Sequence, residues 1–145
     1  MTTNPADNQP TGGFEEVEHT ADWALRIRGA DLRALLVNAA AGMSQLLVGD
    51  VAALPRTVAE EFVIDGYDAE SLLVNWLSEL AYWAEMYGIV FAEFDVRQVT
   101  PTRLQATVYG GPAPQLYKHI KAVTYHNLAV TQTENGLEAT VVFDV

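Results

Sequence analysis

Residues 68–88 read DAESLLVNWLSELAYWAEMYG. Leu73, Trp76, Leu77, Leu80, Ala84 and Tyr87 recur at spacings of three and four, the period that lines one face of an α-helix. Leu72, Trp83 and Met86 widen that face. Asp68 stands where a carboxylate can accept hydrogen bonds from the first free amides, and Gly88 where a left-handed residue ends a helix. The stretch therefore predicts a helix over 69–87. Upstream, Asp31 is a second N-cap, followed at helical spacing by Leu32, Leu35, Leu36, Ala39, Ala40, Met43, Leu46 and Leu47, with Gly49 as terminator.

Around these two helices the alternation changes to period two. Short strands are predicted over 14–17 and 23–28, flanking a turn at 18–22, with Trp23, Leu25 and Ile27 on one face. Another covers 57–65, where Glu60 interrupts the apolar alternation and marks an edge or a bend. Downstream, strands are predicted over 89–99, 103–109, 122–132 and 137–145. Glu134-Asn135-Gly136 makes the last two a hairpin, and Gly110-Gly111-Pro112-Ala113-Pro114 opens a loop that runs toward Lys118. The expected fold class is α+β, with two amphipathic helices packed on one face of a mainly antiparallel or mixed sheet. The first crossovers are candidates for parallel connections, and strand order is not encoded in the pattern. Leu35, Leu36, Ala39, Met43, Leu73, Trp76, Leu77 and Leu80 are the predicted core.

A chain of 145 residues suits one domain with one core. Residues 1–13 carry Pro5, Pro10 and a Gly12-Gly13 pair and read as a flexible N-terminal arm, leaving 14–145 as a single domain. They lack the basic and apolar regions of an export signal, and no apolar run approaches the ~18 residues that span a bilayer. A cytoplasmic protein without membrane contact is expected. With 19 acidic against 8 basic residues, the formal net charge of -11 has the wrong sign for gripping a phosphate backbone. It favours cations or a basic protein partner. The absence of cysteine removes thiolate chemistry, disulfides and Cys-containing zinc sites. A phosphate-binding Gly-rich loop with Lys-Ser/Thr, a Gly-x-Ser-x-Gly elbow and a His-Glu-x-x-His pair are all missing, which counts against an independent enzyme.

Two segments carry candidate chemistry. Glu18-His19-Thr20-Ala21-Asp22 precedes a strand, and Val141-Val142-Phe143-Asp144-Val145 closes the sequence. If the fold joins them, Asp22, Asp144 and the carboxylate of Val145 form an oxygen-rich site suited to a hard cation, because clustered carboxylates repel unless a cation neutralises them. The plainer alternatives are an Asp22 that caps its own turn and an Asp144 that faces water. His19 and His126 lack metal-binding spacing. A hydrogen-bonded structural role suits His126, in phase with Thr124 and Leu128, and His19 could orient the Asp22 loop. Lys118, His119 and Lys121 form the one basic cluster, either a solvated edge or a contact to partner or phosphate. Trp76, Trp83 and Tyr87 read as core or core-edge residues.

Glu18 to Asp22, Lys121-Ala122-Val123-Thr124-Tyr125-His126 and the Asp-plus-aliphatic end resemble the archease family over residues 14–145. The resemblance implies a cation site at Asp22, Asp144 and Val145, taking calcium first, with magnesium or manganese as alternatives. It implies an accessory protein, not an enzyme, that activates a GTP-dependent tRNA-splicing RNA ligase. Ligase guanylylation and multiple turnover would be promoted, and RNA met only indirectly. Lys121 is the candidate ligase contact. The chain departs from the pattern at Trp23-Ala24-Leu25, where a small or aliphatic start is usual, and in a short 110–120 segment. The alternatives are a metal-dependent phosphoesterase-type hydrolase, with Asp22 and Asp144 on the cation and His19 or His126 as base, and a chaperone-like module stabilised by metal.

Overall fold

The two periodic stretches form helices α1 (Leu32–Val48) and α2 (Ala69–Tyr87) in the computed structural model of the chain, which describes residues 13–18 and 22–145. Met1 to Gly12 of the expected arm, and His19, lie outside the described residues. The Asp31 carboxylate accepts from Ala34 N–H at 2.9 Å. At the start of α2, Ser71 N–H donates to Asp68 Oδ1 at 2.8 Å while Asp68 N–H donates to Ser71 Oγ at 3.1 Å, a reciprocal capping box. Gly88 ends α2 at φ +65 and donates to Ala84 O at 3.0 Å, a left-handed position that costs glycine little.

All eight predicted core residues are buried. Two residues assigned to the apolar face of α2 are not: Met86 is 62% exposed and Tyr87 56%. In the last turn the rings pack on one another at the surface, with Tyr87 centred 4.9 Å from Trp83 and 6.0 Å from Tyr82. Helical period alone does not distinguish such a surface cluster from core.

The strands divide between two sheets. The first contains β1 (Phe14–Glu18), β2 (Trp23–Gly29), β6 (Ala122–Thr124), β7 (Thr131–Thr133) and β8 (Gly136–Asp144), in the order β1-β2-β8-β6, with β7 also on β8. The second contains β3 (Val58–Asp65), β4 (Ile89–Thr100) and β5 (Arg103–Pro112), in the order β3-β5-β4. Every pairing among the described residues is antiparallel, so the α+β class holds without a parallel crossover. β3 is an edge strand, as Glu60 suggested. The single strand expected over 122–132 is broken into β6 and β7. Leu128 N–H donates back to Tyr125 O at 3.0 Å, and Asn127 takes a left-handed φ of +51, so the chain turns out of the ladder between them.

One apolar cluster joins both sheets to both helices. Leu25, Ile27, Val141 and Phe143 enter it from the first sheet, and Phe62, Phe91, Leu104 and Val108 from the second. Its polar ties are buried and paired, as burial requires: Trp76 Nε1 donates to Leu36 O at 2.9 Å, locking α2 to α1, and Ser44 Oγ donates to Phe91 O at 2.6 Å, locking α1 to β4. Among the described residues no helix is long and apolar enough to cross a membrane.

Candidate functional site

The end of the first sheet gathers the expected site residues. β2 and β8 pair with Trp23 opposite Phe143 and Ala24 opposite Val142. The ladder ends at the Trp23–Phe143 pair, and Asp22 and Asp144 are the residues that flank this last pair on the two segments. Alternation puts both on the face shared by Ala24 and Val142, opposite the face on which Phe143 enters the core. Asp144 is exposed, while Asp22 and Val145 are half-buried. On the other side of β8, Ala122 pairs with Asp144, and Lys121 N–H donates to Asp144 O at 2.7 Å. The backbone of Asp144 is thereby held from the β6 side, one residue past the last β2 pair, and the residue is exposed to solvent.

Among the described residues no three His, Cys, Asp or Glu side chains gather into a metal cluster. The donor set available here is two side-chain carboxylates, with the main-chain carboxylate that a chain ending at Val145 adds. Its chemistry fits an oxygen-preferring cation, since it contains neither thiolate nor imidazole.

Next to this end, on the same face, lies a shallow cavity of about 140 Å³ lined by Val17, Ala24, His126, Asn127, Thr140 and Val142. His126 sits past the end of β6, not within the strand. Its N–H donates to Thr124 Oγ1 at 3.3 Å, and its Nε2 lies 3.3 Å from Asn127 Nδ2. The predicted phase of His126 with Leu128 therefore does not hold, because the ladder has ended.

The basic cluster read from sequence is dispersed. His119 Nδ1 lies 3.1 Å from Glu85 Oε2 on α2. Lys121 is exposed and borders a groove of about 380 Å³ between α2 and β6. Lys118 instead lies over the Trp23 indole, with Nζ 3.8 Å from the ring centroid. This contact was invisible in sequence, since it joins the residue after Asp22 to an irregular segment far along the chain.

The Archease protein family profile matches residues 14–145. Protein archease of Methanosarcina barkeri is 34% identical over 140 residues, covering 91% of this chain and 95% of the relative. That of Saccharolobus islandicus is 35% identical over 138 residues, covering 91% and 98%. Among solved structures, protein 1598 of Methanobacterium thermoautotrophicum superposes with a TM-score of 0.75 at 25% identity, covering 93% of this chain and all of that one. A Thermotoga maritima protein described as an archease and possible chaperone has the same fold, with a TM-score of 0.62 at 23% identity over 90% of this chain and 96% of its own.

Proposed function

Because the chain belongs to the archease family, we propose that it is a cation-binding accessory protein that activates a GTP-dependent tRNA-splicing RNA ligase, promoting ligase guanylylation and repeated turnover. The observation that supports the reading is the register of β2 on β8, whose last pair is Trp23 with Phe143, so that Asp22 and Asp144 are the next residues of the two neighbouring segments. Asp22, Asp144 and the carboxylate of Val145 would hold a divalent cation, calcium first and magnesium or manganese next. Such a cation supplies positive charge for a phosphate-bearing centre on the partner.

The chain's own part is positional. Pairing of Asp144 with Ala122, next to the Trp23–Phe143 pair on the other side of β8, restrains the backbone that carries its carboxylate, so little ordering cost remains when the partner docks. The net charge of -11 favours a basic docking surface and disfavours direct grip on RNA, which leaves RNA contact to the ligase. A stand-alone hydrolase fits less closely. The cavity beside the carboxylates, at about 140 Å³, falls below the roughly 300 to 1,000 Å³ usual for small-molecule sites.

The test is ligation of RNA bearing a 2′,3′-cyclic phosphate by purified ligase, with and without this protein, under single- and multiple-turnover conditions. Faster guanylylation and sustained turnover are expected. Identical kinetics in both arms would reject the activator role, and cleavage of simple phosphoesters without ligase would favour the hydrolase.

A further inference from the structure

The second sheet has two edges, and they differ in what covers them. Helix α1 packs along β4 and occupies two of its carbonyls, with Ser44 Oγ donating to Phe91 O at 2.6 Å and the Arg33 guanidinium donating to Arg97 O at 3.1 Å. At the opposite edge β3 pairs only with β5 among the described residues. One residue past the last pair of that ladder, Asp65 with Arg103, Gly66 N–H donates to Thr102 O at 3.0 Å and sets the hydrogen-bond phase. Bonded and non-bonded residues alternate along an antiparallel pair. Glu60, Phe62 and Ile64 therefore turn their backbone groups to β5, while Ala59, Glu61, Val63 and Asp65 turn theirs outward. In keeping with this phase, Asp65 O accepts from Asn75 Nδ2 of α2 at 2.8 Å. The N–H and C=O groups of Ala59, Glu61 and Val63 remain as a row open to another strand.

The side chains along this row define what fits it. On the outer face Val63 is 56% exposed, and the two acids are already neutralised, Glu61 by Arg97 and Asp65 by Arg103. On the inner face Glu60 shares the phase of buried Phe62 and Ile64, is itself half-buried, and has no cationic partner among the described residues. An inward-facing charge on an edge strand disfavours pairing with an identical strand, and two chains of net charge -11 repel each other. Alongside the edge, an open groove of about 450 Å³ separates β3 from α2 and is lined in part by Val63, Glu79 and Tyr82. Glu79 accepts from Trp83 Nε1 at 3.2 Å and, like Glu60, lacks a cationic partner among the described residues. The exposed Tyr82 ring offers a surface for the aliphatic stem of a lysine or arginine whose head reaches Glu79.

We propose that the outward edge of β3, with the groove beside α2, docks an extended, lysine- or arginine-bearing segment of a protein partner as a fourth strand of this sheet. Main-chain bonds to Ala59, Glu61 and Val63 supply the affinity, and basic side chains facing Glu60 and Glu79 supply the selectivity. The edge belongs to the second sheet, whereas Asp22 and Asp144 end the first, so the docking site is independent of the cation site.

The test is an NMR titration of the full chain at low salt with a capped Val-Lys-Val-Lys-Val-Lys peptide. In the free protein the amides of Ala59, Glu61 and Val63 should exchange with solvent quickly, and those of Glu60, Phe62 and Ile64 slowly. Peptide should shift and protect the first set. N-methylation of the peptide's valines, whose amides face β3 when the lysines face Glu60, should weaken binding by about tenfold or more, and N-methylation of its lysines should leave it intact. Glu60→Gln should weaken binding roughly two- to fivefold at low salt. Val63→Pro removes an outward N–H that β5 does not use, which an edge strand tolerates, and should abolish binding without loss of the fold. Should that variant unfold, the two N-methylated peptides still decide. No binding, equal binding of a Val-Glu peptide, or equal loss from both N-methylated peptides would overturn the proposal. A concentration-dependent dimer of the free chain with protection at the same three amides would also overturn it, assigning the edge to a second copy.

Discussion

Asp144 is exposed at the end of a strand whose other residues are buried or half-buried, and Asp22 is brought to the same end of the sheet only through the antiparallel register. Asp22→Asn and Asp144→Asn each preserve shape and remove one anion. Each should weaken calcium binding roughly tenfold or more, while the far-ultraviolet circular dichroism spectrum persists. Wild-type affinity in both variants by calorimetry would remove these residues from the site. Leu77 illustrates the other kind of residue. It is fully buried among both helices and both sheets, so Leu77→Ala should cost about 2 to 5 kcal/mol in urea unfolding, as transfer and cavity terms combine. The burial of Leu77 and the strand-end position of Asp144 were legible in sequence, because a leucine in phase with Trp76 and Leu80 and a carboxylate closing an alternating run are local patterns. Tyr87 and Met86 were misread because they share that phase but lie on a turn whose rings cover one another at the surface.

At the scale of elements, the edge strand β3 is fastened to its neighbours through charge. Arg103 Nε donates to Asp65 Oδ1 at 2.7 Å, Thr107 Oγ1 donates to Glu61 Oε1 at 3.2 Å, and Arg97 pairs with Glu61 from β4 across the sheet. Hydrogen bonds from Arg97 and then Thr107 hold Glu61 below the ordinary carboxylate range, and the bond from Arg103 does the same for Asp65. A carboxylate depressed in the folded state binds protons more readily once unfolded. Its stabilising contribution is therefore complete above the unfolded value and is lost as pH falls through the lower, folded one. The double variant Glu61→Gln/Asp65→Asn should differ most from wild type in urea midpoint near about pH 7, with the difference closing toward about pH 2. The effect should be small and salt-sensitive, because both pairs face solvent. A constant difference across that range would mean the contacts act by packing alone. The edge position of β3 was legible from Glu60. The split of β6 from β7 was not, since Tyr125 to Val130 alternates acceptably and only the left-handed Asn127 turns the chain aside.

The whole molecule explains why a site can exist at one strand end. The two helices were legible because period and caps agree within a single segment, whereas the division into two sheets depends on pairings between distant segments that no local pattern records. β8 pairs with β2 on one side and with β6 and β7 on the other, and Val141 and Phe143 anchor it in the common core. The last strand is thus among the most constrained, although terminal segments usually fray. That constraint carries to Asp144, and the proposed site requires a chain that ends at Val145 and places its α-carboxylate at the same strand end as Asp22. A peptide appended after Val145 would replace that anion with a neutral carbonyl and add bulk at the cluster, while leaving β8 and its pairings intact. Such an extension should lower calcium affinity and ligase activation together and leave the circular dichroism spectrum and melting profile nearly unchanged in calcium-free buffer. Amidation of the Val145 carboxylate should reproduce the loss without the bulk, separating charge from crowding. If extended, amidated and unmodified proteins bind calcium and stimulate the ligase equally, the terminal carboxylate has no part in the mechanism, and Asp22 with Asp144 must account for the site alone.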